Sequence, residues 1–406
     1  MDPVLGIGLI MLVGFFGGRI AARLGLPSLT GYIIFGLLLG PYGAGAISLE
    51  IIESIKDPLS VAAVSVIAFM LGGDLTIAAI KNLGTKLLKV ATIDTVWTYF
   101  LVFLGLYYLA GQPAYVALPL AALATSPAPT VVVPVVKELR AKGKFTDSLL
   151  MVSALEDITC VIFISLSIAI SRPLIAGGDL SMQALLISLG EIAGSVFLGA
   201  ALGFVTVCLF RVVNSGQPRL LLVLTMILVG SGLTTLINFS ALITILAMGF
   251  VVLNFAEDTE KLFASVEEVA SPLLLLFFTV AGATLQPGLI PVAGLAVVVY
   301  IVVRIFSKMS GVYAATRWFD MDQGTCQYLP RCLLSQAGTT IGLTMLVAQQ
   351  LPEVSDQILT VMLSAVIFFE IVAPPLTRSA LLQLGEAGDT GTIPGEEKTA
   401  VEKRSG

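Results

Sequence analysis

Glu156 and Asp157 stand side by side in an apolar stretch of sequence. A charged group in lipid costs about 2.5–3.5 kcal/mol on insertion scales, so one found there is kept for a reason. On a helix, adjacent positions point about 100° apart. One carboxylate can therefore face a cavity while the other meets a partner. The chain has no histidine, so proton chemistry falls to carboxylates, Lys or Tyr. Deprotonated carboxylate oxygens also suit a hard monovalent cation such as Na⁺. Proton and cation would then compete for one site, which is the simplest form of exchange. The competing expectation is a buried salt bridge that only fixes helix packing.

Arg304 and Lys308 are the cations that fall within a predicted span, at i, i+4 on one helix face. A neighbouring carboxylate is their natural partner. Glu156 is the expected one, and either Arg304 or Lys308 could meet it. Arg would be a fixed counter-charge, whereas Lys could carry a second proton. Snorkelling to a membrane face is the alternative for one of them. Asp94, Glu191 and Glu370 also fall within spans and are read as relays or helix–helix hydrogen bonds. Asp74 closes span three near the cytoplasm. Cys160, Cys208, Cys326 and Cys332 share no ligand spacing and read as inert buried thiols. No cofactor is expected.

The elements that must carry these residues are transmembrane helices. Of 406 residues, 57% are hydrophobic and 12% charged, with mean hydropathy +0.98. Soluble domains carry about 25% charged residues. Lipid is therefore the solvent. The net charge of −5 points to no nucleic-acid partner. The N-terminus lacks a signal-peptide pattern, so the first apolar run is expected to be kept. A span needs about 20 apolar residues. Thirteen are predicted: 3–20, 26–42, 58–74, 87–110, 114–136, 149–170, 182–211, 219–236, 239–255, 271–285, 289–315, 331–350 and 356–376. Residues 1–380 form one transmembrane domain, and 381–406 a short disordered cytoplasmic tail. With the N-terminus outside, 18 of the 22 Lys and Arg fall on the inner side. Only Lys56 and Arg172 fall outside. Cytoplasmic loops are enriched in these residues, so the reading is N-out, C-in.

Two spans are poor helices. Span five holds Ala124-Thr125-Ser126-Pro127-Ala128-Pro129-Thr130, then Pro134; span twelve holds Ser335-Gln336-Ala337-Gly338-Thr339-Thr340-Ile341-Gly342. Unwound backbone at that depth must line a cavity or be buried in protein. The spans are seven apart, so two sets of six around a linker would be inverted repeats. Paired broken helices of this kind mark a transporter's binding site.

At these residues the chain resembles the monovalent cation:proton antiporter superfamily, in its NapA-like and Kef-like branch. Gly25-Leu26-Pro27 through Gly31-Tyr32, Gly36 and Gly40-Pro41 is similar to its GLP-x-x-x-GY…G…GP opening. Phe69 to Leu75 resembles its FxxGxxL segment. Ala124-Thr125-Ser126-Pro127 matches its broken-helix motif, and Phe277-Phe278 with Gly282 its FFxxxG segment. The resemblance covers roughly residues 1–380. It implies an NhaA/NapA-like antiporter fold, all-α and polytopic, with crossed broken helices and interleaved dimerisation and core subdomains in a homodimer. It implies that Asp157 binds cation and proton, and that Thr125, Ser126, Pro127, Pro129 and Gln336 line the site. Glu156 departs from the family's usual Asp, Asn or Gln, so stoichiometry is not readable there, and of the two basic residues one turn apart the resemblance favours Arg304 as its partner. The short tail lacks the nucleotide-binding domain of Kef systems, leaving a separate regulatory subunit as an open partner.

The expected function is exchange of Na⁺, Li⁺ or K⁺ for H⁺ in the cell membrane. A sodium-coupled solute symporter is the alternative, and would not need the acidic pair or the basic face. An intramembrane aspartyl protease needs G-x-G-D, which Leu71-Gly72-Gly73-Asp74 does not supply. A passive channel would not move protons against a cation gradient.

Overall fold

The computed structural model describes residues 3–23, 28–47, 49–73, 76–77, 85–177, 182–213, 216–237, 239–284 and 290–387. Gly25, Leu26 and Pro27 of the opening motif, Asp74, Leu75 and the tail beyond residue 387 lie outside these. Among the described residues there is no strand. The chain runs through α1 (Pro3–Arg23), α2 (Ser28–Leu39), α3 (Leu49–Gly72) and α4 (Thr85–Leu104, continued by a π-helical turn, Gly105–Leu109). Next come α5 (Ala114–Thr125), α6 (Pro129–Glu138), α7 (Lys144–Ile175), α8 (Met182–Leu209), α9 (Gln217–Ile237) and α10 (Ala241–Phe255). The last are α11 (Thr259–Thr284), α12 (Ile290–Trp318), α13 (Gln323–Cys332), α14 (Gly338–Gln350) and α15 (Ser355–Gln383).

Among the described residues eight helices are long and apolar enough to cross a membrane, and four shorter apolar ones accompany them. Their outward faces are apolar, with Phe15, Phe16, Phe197, Leu236 and Phe306 exposed. Water would not tolerate so much exposed apolar surface, and lipid does. The fold is all-helical and multi-pass, as expected.

Packing falls into two sets. In one, α1 lies on α2, α2 on α11, and α3 on α10 and α11. In the other, α4 lies against α5, α7 and α12, while α15 packs on α12, α13 and α14. The first set is drawn together by small residues. A Cβ on Gly36 would overlap the carbonyl of Thr279, and one on Gly282 the carbonyl of Ile33. Two backbones in lipid can approach this closely only where side chains are absent.

The second set contains both helix breaks. α5 stops at Thr125 because Pro127 and Pro129 follow. A proline disfavours helix at the residue before it. Ser126 (φ −68°, ψ 122°) and Ala128 (φ −122°, ψ 97°) are accordingly extended. Pro129 then opens α6, where its missing N–H costs nothing. In the other break α13 ends at Cys332, Ala337 is extended (φ −159°, ψ −142°), and Gly338 opens α14.

α7, which carries Glu156 and Asp157, is capped from far along the chain. Glu386, just past α15, accepts from the backbone N–H of Phe145 at 2.9 Å and of Thr146 at 2.8 Å, and from the Thr146 hydroxyl at 2.7 Å. These N–H groups lie in the first turn, which has no partner within the helix. The approach requires Gly143, where a Cβ would overlap the Glu386 carboxylate.

Candidate functional site

The two breaks meet in the interior. The Ala128 N–H donates to Ser335 Oγ at 3.2 Å, and Gln336 Nε2 donates to the Leu123 carbonyl at 3.0 Å. A helix end leaves four carbonyls without partners, and at α5 side chains satisfy them. The Ala122 carbonyl accepts from Thr125 Oγ1 at 2.7 Å, Leu123 from Gln336, Ala124 from Arg304 Nε at 2.9 Å, and Thr125 from Lys308 Nζ at 2.9 Å.

Arg304 is buried and serves both breaks. Besides Ala124, it donates to the carbonyls of Ser126 at 3.1 Å, Leu334 at 2.7 Å and Ser335 at 3.4 Å. The guanidinium also lies over Phe369, 4.4 Å from the ring centroid. A cation at two helix C-termini is where the helix dipoles favour it. Its fixed fork of donors suits several carbonyls at once.

Lys308, one turn on, is equally buried. Its Nζ lies 2.6 Å from Asp94 Oδ2 and 2.7 Å from Glu156 Oε2. The expected pairing of Glu156 with Arg304 is therefore corrected: Lys308 is the partner. The two cations share a helix face, but Arg304 faces the carbonyls of the breaks and only Lys308 reaches the acids. Neither cation snorkels.

The acidic pair diverges as adjacent helical residues should. Glu156 turns to Lys308, while Asp157 Oδ1 accepts from Ser126 Oγ at 2.5 Å. Asp157 is 2% exposed. Ser126 lies in the extended break, so its side chain is free of a helical turn and can reach across to α7.

Thr125 contributes its carbonyl to Lys308, with its hydroxyl turned back to Ala122. Pro127 and Pro129 shape the first break. Gln336 holds the second against Leu123 and exchanges hydrogen bonds with the Tyr300 hydroxyl. Asp94 joins the cluster directly, through the ion pair. Glu191 does not join it. It lines a cavity of about 280 Å³ on the face away from the basic loops, with Arg172, Gln349 and several hydroxyls. Glu370 is also separate and accepts from the Thr30 hydroxyl. Cys160, Cys326 and Cys332 are buried, but Cys208 is exposed, correcting the expectation that all four are buried. Phe277 and Phe278 are packed in the core.

Sequence reasoning missed Ser335 and Tyr300. Ser335 had a signal, as a hydroxyl within a polar break. Tyr300 had only its spacing, one helical turn before Arg304.

A family model described as sodium/hydrogen exchanger, transmembrane, matches residues 8–383. A comparison with curated proteins finds no match. Among solved structures, the chain is similar to the sodium proton antiporter MjNhaP1 from Methanocaldococcus jannaschii at pH 8. That likeness has TM-score 0.76 and 15% identity, covering 94% of this chain and 98% of the other. An electron-microscopy structure of the same antiporter gives TM-score 0.66 and 15% identity, over 95% and 96% of the two chains.

Proposed function

The chain belongs to the sodium/hydrogen exchanger family, and from that premise we propose that it carries one monovalent cation, Na⁺ foremost, against H⁺ by alternating access at Asp157. The observation that carries this reading is the divided acidic pair. Lys308 occupies Glu156, while the buried carboxylate of Asp157 is set against Ser126 at the helix break.

Asp157 takes a proton from one side of the membrane and gives it up as a cation arrives. Ser126 and the break supply further oxygens for a desolvated cation. Lys308 and Arg304 hold the surrounding charges and carbonyls in place while the site is empty. The packing of α4–α7 and α12–α15 as one set supports a core that moves against the other set. The basic loops face the cytoplasm, and the protein works as a homodimer in the cell membrane.

The charge count supports a stoichiometry. Two buried cations, Arg304 and Lys308, stand against three buried acids, Asp94, Glu156 and Asp157. One proton or one Na⁺ brings the cluster to neutrality, so exchange is one for one when Lys308 keeps its proton.

The test is reconstitution in liposomes holding a pH dye, with an imposed pH gradient and Na⁺, Li⁺ or K⁺ added in turn. Cation-dependent collapse of the gradient is expected, and its absence in Asp157→Asn. An Asp157→Asn protein exchanging at the parent rate would falsify the assignment.

A further inference from the structure

Among the described residues, Glu370 is the only buried carboxylate besides Asp94, Glu156 and Asp157. It is 2% exposed, and Thr30, whose hydroxyl donates to its Oε2, is 1% exposed. Its other oxygen, Oε1, has no hydrogen-bond partner among the described residues. A buried carboxylate with one neutral partner is expensive, and nothing in the ion-binding cluster uses it.

Its position gives it a task. Thr30 lies in the first turn of α2, which belongs to the first packing set, and Glu370 lies on α15 in the second. α2 and α15 share little other packing. Beside Thr30, the side chain of Leu29 sits where a Cβ on Gly338 would be, at the start of α14. The first turn of α2 thus lies against the second helix break on the side of the basic loops. On the opposite face a cavity of about 280 Å³ lies between the two sets, bounded by α3, α7, α8, α9, α10 and α14. The two sets thus have a cavity between them at one end and, beside the second break, this hydrogen bond across them.

We propose that Glu370, acting through Thr30, is a positioning residue for exchange: their hydrogen bond latches the two sets together beside the second break, across from the cavity, and is released before a cation enters or leaves by the basic face. This rests on the alternating-access reading above. Weakening the latch shifts the population towards the conformer open at the basic face. Apparent affinity scales with the fraction of the competent conformer. The two faces therefore respond in opposite directions, which a general loss of packing would not produce.

The experiment compares cation-driven exchange in right-side-out and everted membrane vesicles, so that Na⁺ is supplied to each face separately. Thr30→Val, which keeps the shape and removes the donor, is expected to lower the apparent KM at the basic face, by up to about tenfold, and to raise it at the other. Glu370→Ala is expected to act in the same sense. Thr30→Ser, which restores the hydroxyl, stays near the parent. If Thr30→Val moves both KM values the same way, or neither, the latch is overturned. A parent protein that shows no exchange in either vesicle sinks the exchanger reading itself, before any variant is made.

Discussion

Lys308 sits against two carboxylates, and all three side chains are fully buried. Such a cluster is bound tightly to its own parts. Removing one member of a buried pair leaves an uncompensated charge and costs about 3–5 kcal/mol. Lys308→Gln is therefore expected to lower stability by about that amount, read as a drop in the thermal unfolding midpoint of the detergent-solubilised protein. A variant melting with the parent would mean that the cluster is not held by charge. The candidates at this scale were legible because lipid makes every intramembrane charge conspicuous. Their pairing was not. Arg304 and Lys308 share a helix face, and only the distance to carbonyls or to acids separates their roles. Asp94, read as a relay or a helix–helix hydrogen bond, is of the second kind, a partner of Lys308 because α4 packs directly on α12.

At the scale of elements, the breaks were readable and their closures were not. Pro127 and Pro129 dictate an interruption through local sterics, and the polar, glycine-bearing run from Ser335 to Gly342 suggests another. What satisfies the exposed helix ends comes from distant chain: Arg304 for both breaks, Glu386 for α7. No local pattern announces such partners. A local cap is different. Asp322 opens α13, its Oδ2 accepting from the Thr325 N–H at 2.8 Å and its Oδ1 from the hydroxyl at 2.8 Å. Partial burial pushes its carboxyl up, but the hydrogen bonds from Thr325, with Lys144 nearby, hold it below its usual value. A depressed folded pKa gives stability that is full above the unfolded value, about 3.9, and lost as pH falls through the folded one. Asp322→Ala should thus cost about 1 kcal/mol near neutral pH. The gap from the parent should close in a pH series of unfolding midpoints as the medium becomes strongly acidic. A gap that persists there would assign the loss to something other than the charged cap.

For the whole molecule, the membrane class was legible in hydropathy, because a chain this poor in charge has no water-facing surface to offer. Which spans pack together was hidden, because contacts such as Gly36 against Thr279 join residues far apart in sequence. The buried charge count is likewise a property of the assembled interior. It predicts that exchange rates stay unchanged when a potassium ionophore clamps the membrane potential at different values. A rate that tracks the potential would show that Lys308 gives up its proton during the cycle and that the count of one for one is wrong.

The two-break span of Arg304 also sets a clock on biosynthesis. The Ala124 carbonyl it satisfies lies 180 residues earlier in the chain. At roughly 5–20 residues per second of synthesis, the first broken helix exists for about 10–40 s before its cap is made. During that time the Ala124 carbonyl can be met only by water or by the insertion machinery. The break at Ser126 is thus the last part of its own helix pair to mature, although it is among the first to be translated.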